Sequence, residues 1–178
     1  LMFFMTTLVG FDTITTTAVM TITAVIDMVT APMFGSIMNS IKAPKWGRYR
    51  SWLIITTPLV IVFYTLGMFQ WFGPTTISAI LICAFLTLAH FTFNFQYSSS
   101  LALISVISPT SQDRAKLSST RATWAALGRI AWSYMGAPFI AVLGVWFGSQ
   151  TLGYTIEAGV YAILMGIGMG AHFIMTKG

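Results

Sequence analysis

Asp27 is an acid set inside an apolar run. Pro32 follows it, and a short basic hinge with Lys42, Lys45, Arg48 and Arg50 closes the stretch. A charge at the centre of a membrane helix costs about 2.5–3.5 kcal/mol on insertion scales, so an acid kept there marks function. A carboxylate offers hard oxygens to Na+ or a titratable site to H+. Further on, His90, Asn94, Gln96 and Tyr97 are interleaved with Phe91, Phe93 and Phe95, and Ser98, Ser99 and Ser100 follow. Amides supply paired donors and acceptors, and aromatic faces supply a platform for C–H groups, the chemistry that sugar binding needs. A polar interface between helices would use the same residues. His90 is expected to be packed or hydrogen-bonded rather than a proton relay. Arg129, deep in another apolar run, must face a cavity or a partner.

These residues need a bilayer around the elements that carry them. The chain has 178 residues, of which 56% are hydrophobic and 7% charged, with a mean hydropathy of +0.81. Soluble domains carry about 25% charged residues, so a lipid solvent is required. The net charge of +5 does not indicate nucleic acid, because the basic residues sit in membrane hinges and not in an aromatic-studded patch. Cys83 is the single cysteine, so no internal disulfide can form. No metal-ligand cluster and no nucleophile–base pair is visible, and Ser98 to Ser100 lack an acid–base partner in sequence, so no enzyme is expected.

A span needs about 20 apolar residues. Residues 1–10 are too short, and the reading makes them the tail of a first span whose beginning is missing. Spans are predicted over 13–40, with Pro32 as a kink, and over 51–70, 76–107, 117–147 and 152–175. The whole chain, 1–178, reads as one partial transmembrane helical bundle. All nine Lys and Arg residues fall in or near alternate connections, 42–50 and 114–129, and at Lys177, while Asp12 and Glu157 hold the other side. The positive-inside rule then places hinge 42–50, loop 108–116 and the C-terminal end in the cytoplasm. Gly144/Gly148 and Gly166/Gly170 have Gly-x-x-x-Gly spacing, read as close packing within one bundle rather than as a dimer face.

Several segments resemble the glycoside–pentoside–hexuronide cation symporters of the major facilitator superfamily, the family of the melibiose-type carriers. Residues 1–12 look like the end of that family's first span. Asp27 falls on the first acid of its pattern Asp-x-x-x-Asp-Pro in the second span, and Pro32 and Gly35 also match. The hinge Lys45-Trp46-Gly47-Arg48-Tyr49-Arg50, followed by Trp52, is similar to its basic hinge, with Ser51 where Pro is usual. Residues 113–121 resemble the signature of its next cytoplasmic loop, and 153–164 the start of its sixth span. The resemblance covers nearly the whole chain. It implies an all-α membrane protein, the N-terminal six-helix half of a twelve-helix carrier, with the first span truncated and the C-terminal half absent. Substrate in such folds lies near midplane between the halves.

The resemblance also implies roles. Asp27 falls on a cation-binding carboxylate, with Thr30 as a neighbouring hydroxyl where the family has Asn. Arg121 matches a sugar-contacting arginine. The family's fourth-span sugar residue falls on Asn94 in one register, with Gln96 and Tyr97 following, and on Tyr97 in another. Arg129 has no counterpart, and would balance Asp27 or meet an anionic group of the substrate. Lys45, Arg48 and Arg50 form the gating hinge. Ala31 replaces the family's second carboxylate, and Ala24 stands where melibiose-type carriers have Arg. An alanine coordinates nothing, whereas one acid suffices for a proton, so H+ is favoured as coupling ion, ahead of ion-independent transport and of Na+. The implied function is secondary active transport of a sugar or glycoside by alternating access, without a cofactor, in the bacterial cytoplasmic (inner) membrane. Its partners would be the small-molecule sugar, the bilayer and the second half of the carrier. The competing readings are a carrier for a lipid or an anionic metabolite, and a membrane scaffold or sensor.

Overall fold

The computed structural model describes residues 1–42 and 46–176. Lys45, of the expected hinge, and Lys177 lie outside the described residues. Among those described, no strand occurs. A short, wide-turned helix at Phe4–Val9 leads into α1 (Thr13–Thr30), α2 (Met33–Ser40), α3 (Arg50–Gly67), α4 (Thr76–Ile107), α5 (Ser111–Trp146) and α6 (Gln150–Met175). Helices α1, α3, α4, α5 and α6 are long and apolar enough to cross a membrane. The five spans expected from hydropathy are therefore present, preceded by the short helix at Phe4–Val9.

Two boundaries differ from the sequence expectation. The span over 13–40 is two helices and not one kinked helix. Ala31 still donates its N–H to the carbonyl of Asp27 at 2.9 Å. Pro32 has no N–H to give, and its ring excludes the carbonyl four residues back. Asp27 thus sits in the last turn of α1. The loop expected over 108–116 shrinks to 108–110, because the Thr110 hydroxyl accepts the Asp113 N–H at 3.1 Å and opens α5 at Ser111. Hydroxyl and carboxylate caps of this kind are worth about 1 kcal/mol each. Asp12, Thr75 and Ser149 cap α1, α4 and α6 in the same way.

Helix α3 lies between α4 and α6, α5 packs on α6, and α1 packs on α4. The contacts are close where a glycine stands. A Cβ built on Gly153 would lie 2.8 Å from the backbone nitrogen of Gly144, and one on Gly67 would lie 2.8 Å from the Leu86 side chain. Gly166 faces Thr57 and Ile61 of α3. Gly144 and Gly166 therefore serve helix contacts inside the bundle. Phe34, Met38 and Phe95 form a buried cluster that seats α2 on α4. Met28, Ile130, Met135 and Met175 stand exposed on the outside, as a lipid solvent permits.

The ends of the bundle can be matched by contact. Arg50 donates from Nη2 to the Phe173 carbonyl at 2.7 Å and from Nε to the Thr176 hydroxyl at 3.2 Å. Ser100 Oγ lies 3.5 Å from His172 Nδ1, and α4 runs on from there to residues 108–110. The start of α3, the α4–α5 loop and the end of α6 therefore share one end. Thr155 donates to the Met68 carbonyl at 2.6 Å at the opposite end.

Candidate functional site

The Asp27 carboxylate points from the last turn of α1 towards α4. Its Oδ1 accepts from Nδ2 of Asn94 at 2.5 Å. Its Oδ2 lies 2.9 Å from Nδ1 of His90. His90 and Asn94 are four residues apart on one helix and so share a face. Among the described residues, His90 is the one basic side chain within 4 Å of a carboxylate, that of Asp27. The side chains are about one-third exposed for Asp27 (33%) and 45% for His90, so the pair is reached from a cavity and not sealed in a core.

That cavity has a volume of about 910 Å³. Asp27, His90, Phe93 and Asn94 form one wall. Trp132 and Ser133 of α5, with Tyr154, Glu157 and Tyr161 of α6, form the wall opposite. Leu1 also borders the cavity. The volume lies in the range of about 300–1,000 Å³ found for small-molecule sites. Polar groups of both hydrogen-bonding senses and aromatic faces therefore meet around one polar cluster held between two membrane-length helices.

A family model described as MFS/sugar transport protein matches residues 1–178. The chain belongs to this family. No curated protein and no solved structure matched the chain. Family membership and the five crossing helices make this a multi-pass membrane protein of a transporter family rather than an enzyme family.

In this MFS chain, the other residues singled out from sequence fall in several places. Tyr97, one turn beyond Asn94, lies under the Arg121 guanidinium, whose Cζ is 4.5 Å from the ring centroid. The resemblance gives Arg121 the role of a sugar contact. Arg121 does not line the cavity, whose α5 wall begins at Trp132, eleven residues or about 16 Å along the helix. Arg129 is exposed on α5 and makes no ion pair with Asp27 among the described residues. Gln96 turns away from the site altogether. It is fully buried against α3 and donates to the Thr57 hydroxyl at 2.6 Å and the Leu53 carbonyl at 3.4 Å. Two residues along a helix rotate a side chain by about 200°, so Gln96 and Asn94 cannot share a face. Gln96 packs against α3 and does not line the cavity. The Thr30 hydroxyl donates to the Ile26 carbonyl at 2.8 Å within its own helix and makes no bond to the Asp27 carboxylate.

The hinge residues divide. Arg48 is exposed. Arg50 clamps the end of α6 and also stands 4.4 Å over the Phe173 ring. Tyr49 donates to Asn39 Oδ1 at 3.0 Å, which ties the hinge back to α2. The Asp27 to His90 contact and the position of Glu157 were not foreseen. Glu157 was grouped with a connection, but it lies inside α6 on the cavity wall. An acid within the predicted span 152–175 was the available signal, the same one that singled out Asp27. The spacing of His90 and Asn94 showed that they share a face, but nothing in the sequence showed which helix would meet it.

Proposed function

We propose that this chain is the N-terminal part of a secondary active transporter for a sugar or glycoside, of the glycoside–pentoside–hexuronide symporter type, driven by H+ and working by alternating access. The hydrogen-bonded cluster of Asp27, His90 and Asn94 beside a cavity carries this reading. It joins the acid suited to a coupling cation and an amide suited to a hydroxyl in one network. A ligand change at either group is then felt by the other, which is what mutual enhancement of affinity requires. A second helical half would close the site from the other side.

The basic hinge and the α4–α5 loop would face the cytoplasm of a bacterial inner membrane. Arg50 and Arg48 would act there as part of the gate. Arg121 would contact sugar from its place on Tyr97, with the guanidinium stacked and its donors free for hydroxyls. A lipid or anionic solute is the weaker reading, since Arg121 and Arg129 both stand off the cavity wall.

The test is uptake of labelled sugars by the full-length carrier in vesicles, under an imposed pH gradient and then an imposed Na+ gradient. Accumulation driven by the pH gradient and abolished in Asp27→Asn is expected. Arg121→Ala should weaken uptake without lowering the amount inserted. No accumulation of any sugar under either gradient would overturn the reading.

A further inference from the structure

A carboxylate carried inside a membrane helix needs a counter-charge or hydrogen-bond donors, because lipid supplies neither. Two carboxylates line the cavity, Asp27 from α1 and Glu157 from α6. Asp27 has a side-chain partner at each oxygen, His90 at one and Asn94 at the other. Glu157 stands differently. It lies in the second turn of α6 and is half-buried. Among the described residues, no Lys, Arg or His comes within 4 Å of its carboxylate, and no side chain donates a hydrogen bond to it. The acid on this wall is therefore left for whatever enters the cavity.

The side chains around it narrow the chemistry. Tyr154 and Tyr161 lie three residues before Glu157 and four after it, so all three share one face of α6. Tyr154 is held by Phe3 and Phe4, with ring centroids 6.0 and 5.8 Å away. Trp132 of α5 meets Tyr161 edge to face at 4.3 Å. A Cβ on Gly136 would lie 2.7 Å from the Trp132 indole, so that glycine leaves the ring its place along α5. Tyr64 and Phe93 bring two more rings to the cavity from α3 and α4. The face of an aromatic ring is the negative side of its quadrupole. Rings that turn their faces to the cavity add to the field of a carboxylate there rather than offset it. No Lys or Arg side chain lines the cavity. A neutral hydroxyl could donate to Glu157 but would leave its charge uncompensated. An ammonium group compensates the charge and is also attracted to ring faces.

We infer that the solute of this carrier bears a protonated amine, that it is an amino sugar or a glycoside of one, and that Glu157 receives the ammonium group. The inference rests on the transport reading above for its function and narrows its substrate class. Trp132, Tyr154 and Tyr161 flank the ammonium, and the hydroxyls of the sugar ring are left for the wall that carries Asn94. Glu157 is then the residue that separates amino sugars from neutral ones. The observation that disfavours an anionic solute, the absence of Arg121 and Arg129 from the cavity wall, favours a cationic one.

The experiment uses the purified full-length carrier and matched sugars: glucosamine and galactosamine against glucose, galactose and the N-acetylated forms. Acetylation removes the charge and keeps the sugar ring. At a pH where the free amine is protonated, calorimetric titration should give an amino sugar a Kd about tenfold or more below that of its neutral counterparts, the gain expected for one charge-assisted contact. Glu157→Gln keeps the shape of the side chain and should erase this preference, and Glu157→Asp should restore part of it. Trp132→Leu should reduce it by roughly twofold to fivefold. Neutral sugars that bind as tightly as the amines, a preference that survives Glu157→Gln, or no heat from either amine would overturn the inference. The comparison in the wild type needs no variant to fold. Uptake of neutral sugars without a preference for amines would sink this inference and leave the transport reading standing. Amine binding without uptake under any gradient would do the reverse.

Discussion

Nδ2 of Asn94 lies 2.5 Å from Oδ1 of Asp27, a side-chain bond across 67 residues of sequence that joins the last turn of α1 to the middle of α4. A hydrogen bond to a charged acceptor is worth about 1.5–3 kcal/mol. Removing the donor in Asn94→Ala should lower sugar uptake by roughly tenfold to a hundredfold. Asn94→Asp sets two carboxylates against each other and should be worse. Wild-type uptake in both would detach Asn94 from the coupling cluster.

Gln96 tests the opposite assignment. Its amide is buried between α4 and α3, where it donates to Thr57 while Oε1 has no partner. Gln96→Ala should cost about 1–3 kcal/mol of stability through the stranded polar groups and the lost packing. Thermal unfolding in detergent reads this. Sugar affinity of the surviving protein should be unchanged, and a selective loss of affinity would return Gln96 to the site.

Arg50 holds the start of α3 to the end of α6 through Phe173 and Thr176. Arg50→Lys keeps the charge but loses the forked geometry. Amide exchange at residues 173–176 should then rise several-fold, an opening cost of about 1 kcal/mol less. Transport should fall while affinity at the central site holds. A parallel fall in affinity would argue for direct binding at the hinge.

Gly153 tests the α5–α6 crossing. An added Cβ would meet the Gly144 backbone at 2.8 Å and the Ile140 carbonyl at 3.0 Å. Backbone cannot rotate away, so Gly153→Ala should destabilise the pair by about 1–3 kcal/mol. Gly168 has open space at the same position, and Gly168→Ala is the neutral control. Equal melting behaviour of the two variants would contradict the crossing.

Asp12 gives a pH dependence outside the spans. The hydrogen bond with Thr15 holds its carboxyl below the usual carboxylate range. A group with a lowered folded pKa contributes stability that is present above its ordinary pKa and is lost as pH falls through the lowered one. Amide exchange in the first turn of α1 should therefore quicken at acid pH in the wild type. Asp12→Asn keeps a cap but should flatten that dependence. An unchanged acid limb in the variant would assign it elsewhere.

The sequence by itself determined the solvent, the number of spans and which connections share an end of the bundle. Those features follow from local composition: runs of apolar residues, Pro and Gly punctuation, and basic residues confined to alternate connections. It also singled out Asp27, since a charge is conspicuous where water is absent. Helix caps shifted boundaries by a turn or two, because Thr110 and Pro32 act on single hydrogen bonds that hydropathy does not register. Only the tertiary structure decided which face of α4 meets α1, and hence that Asn94 and His90 share Asp27 while Gln96 serves the α3 interface. The phase of one helix against another is fixed by packing over long sequence separations. A polar residue in a helix looks the same in sequence whether it faces a cavity or a neighbour.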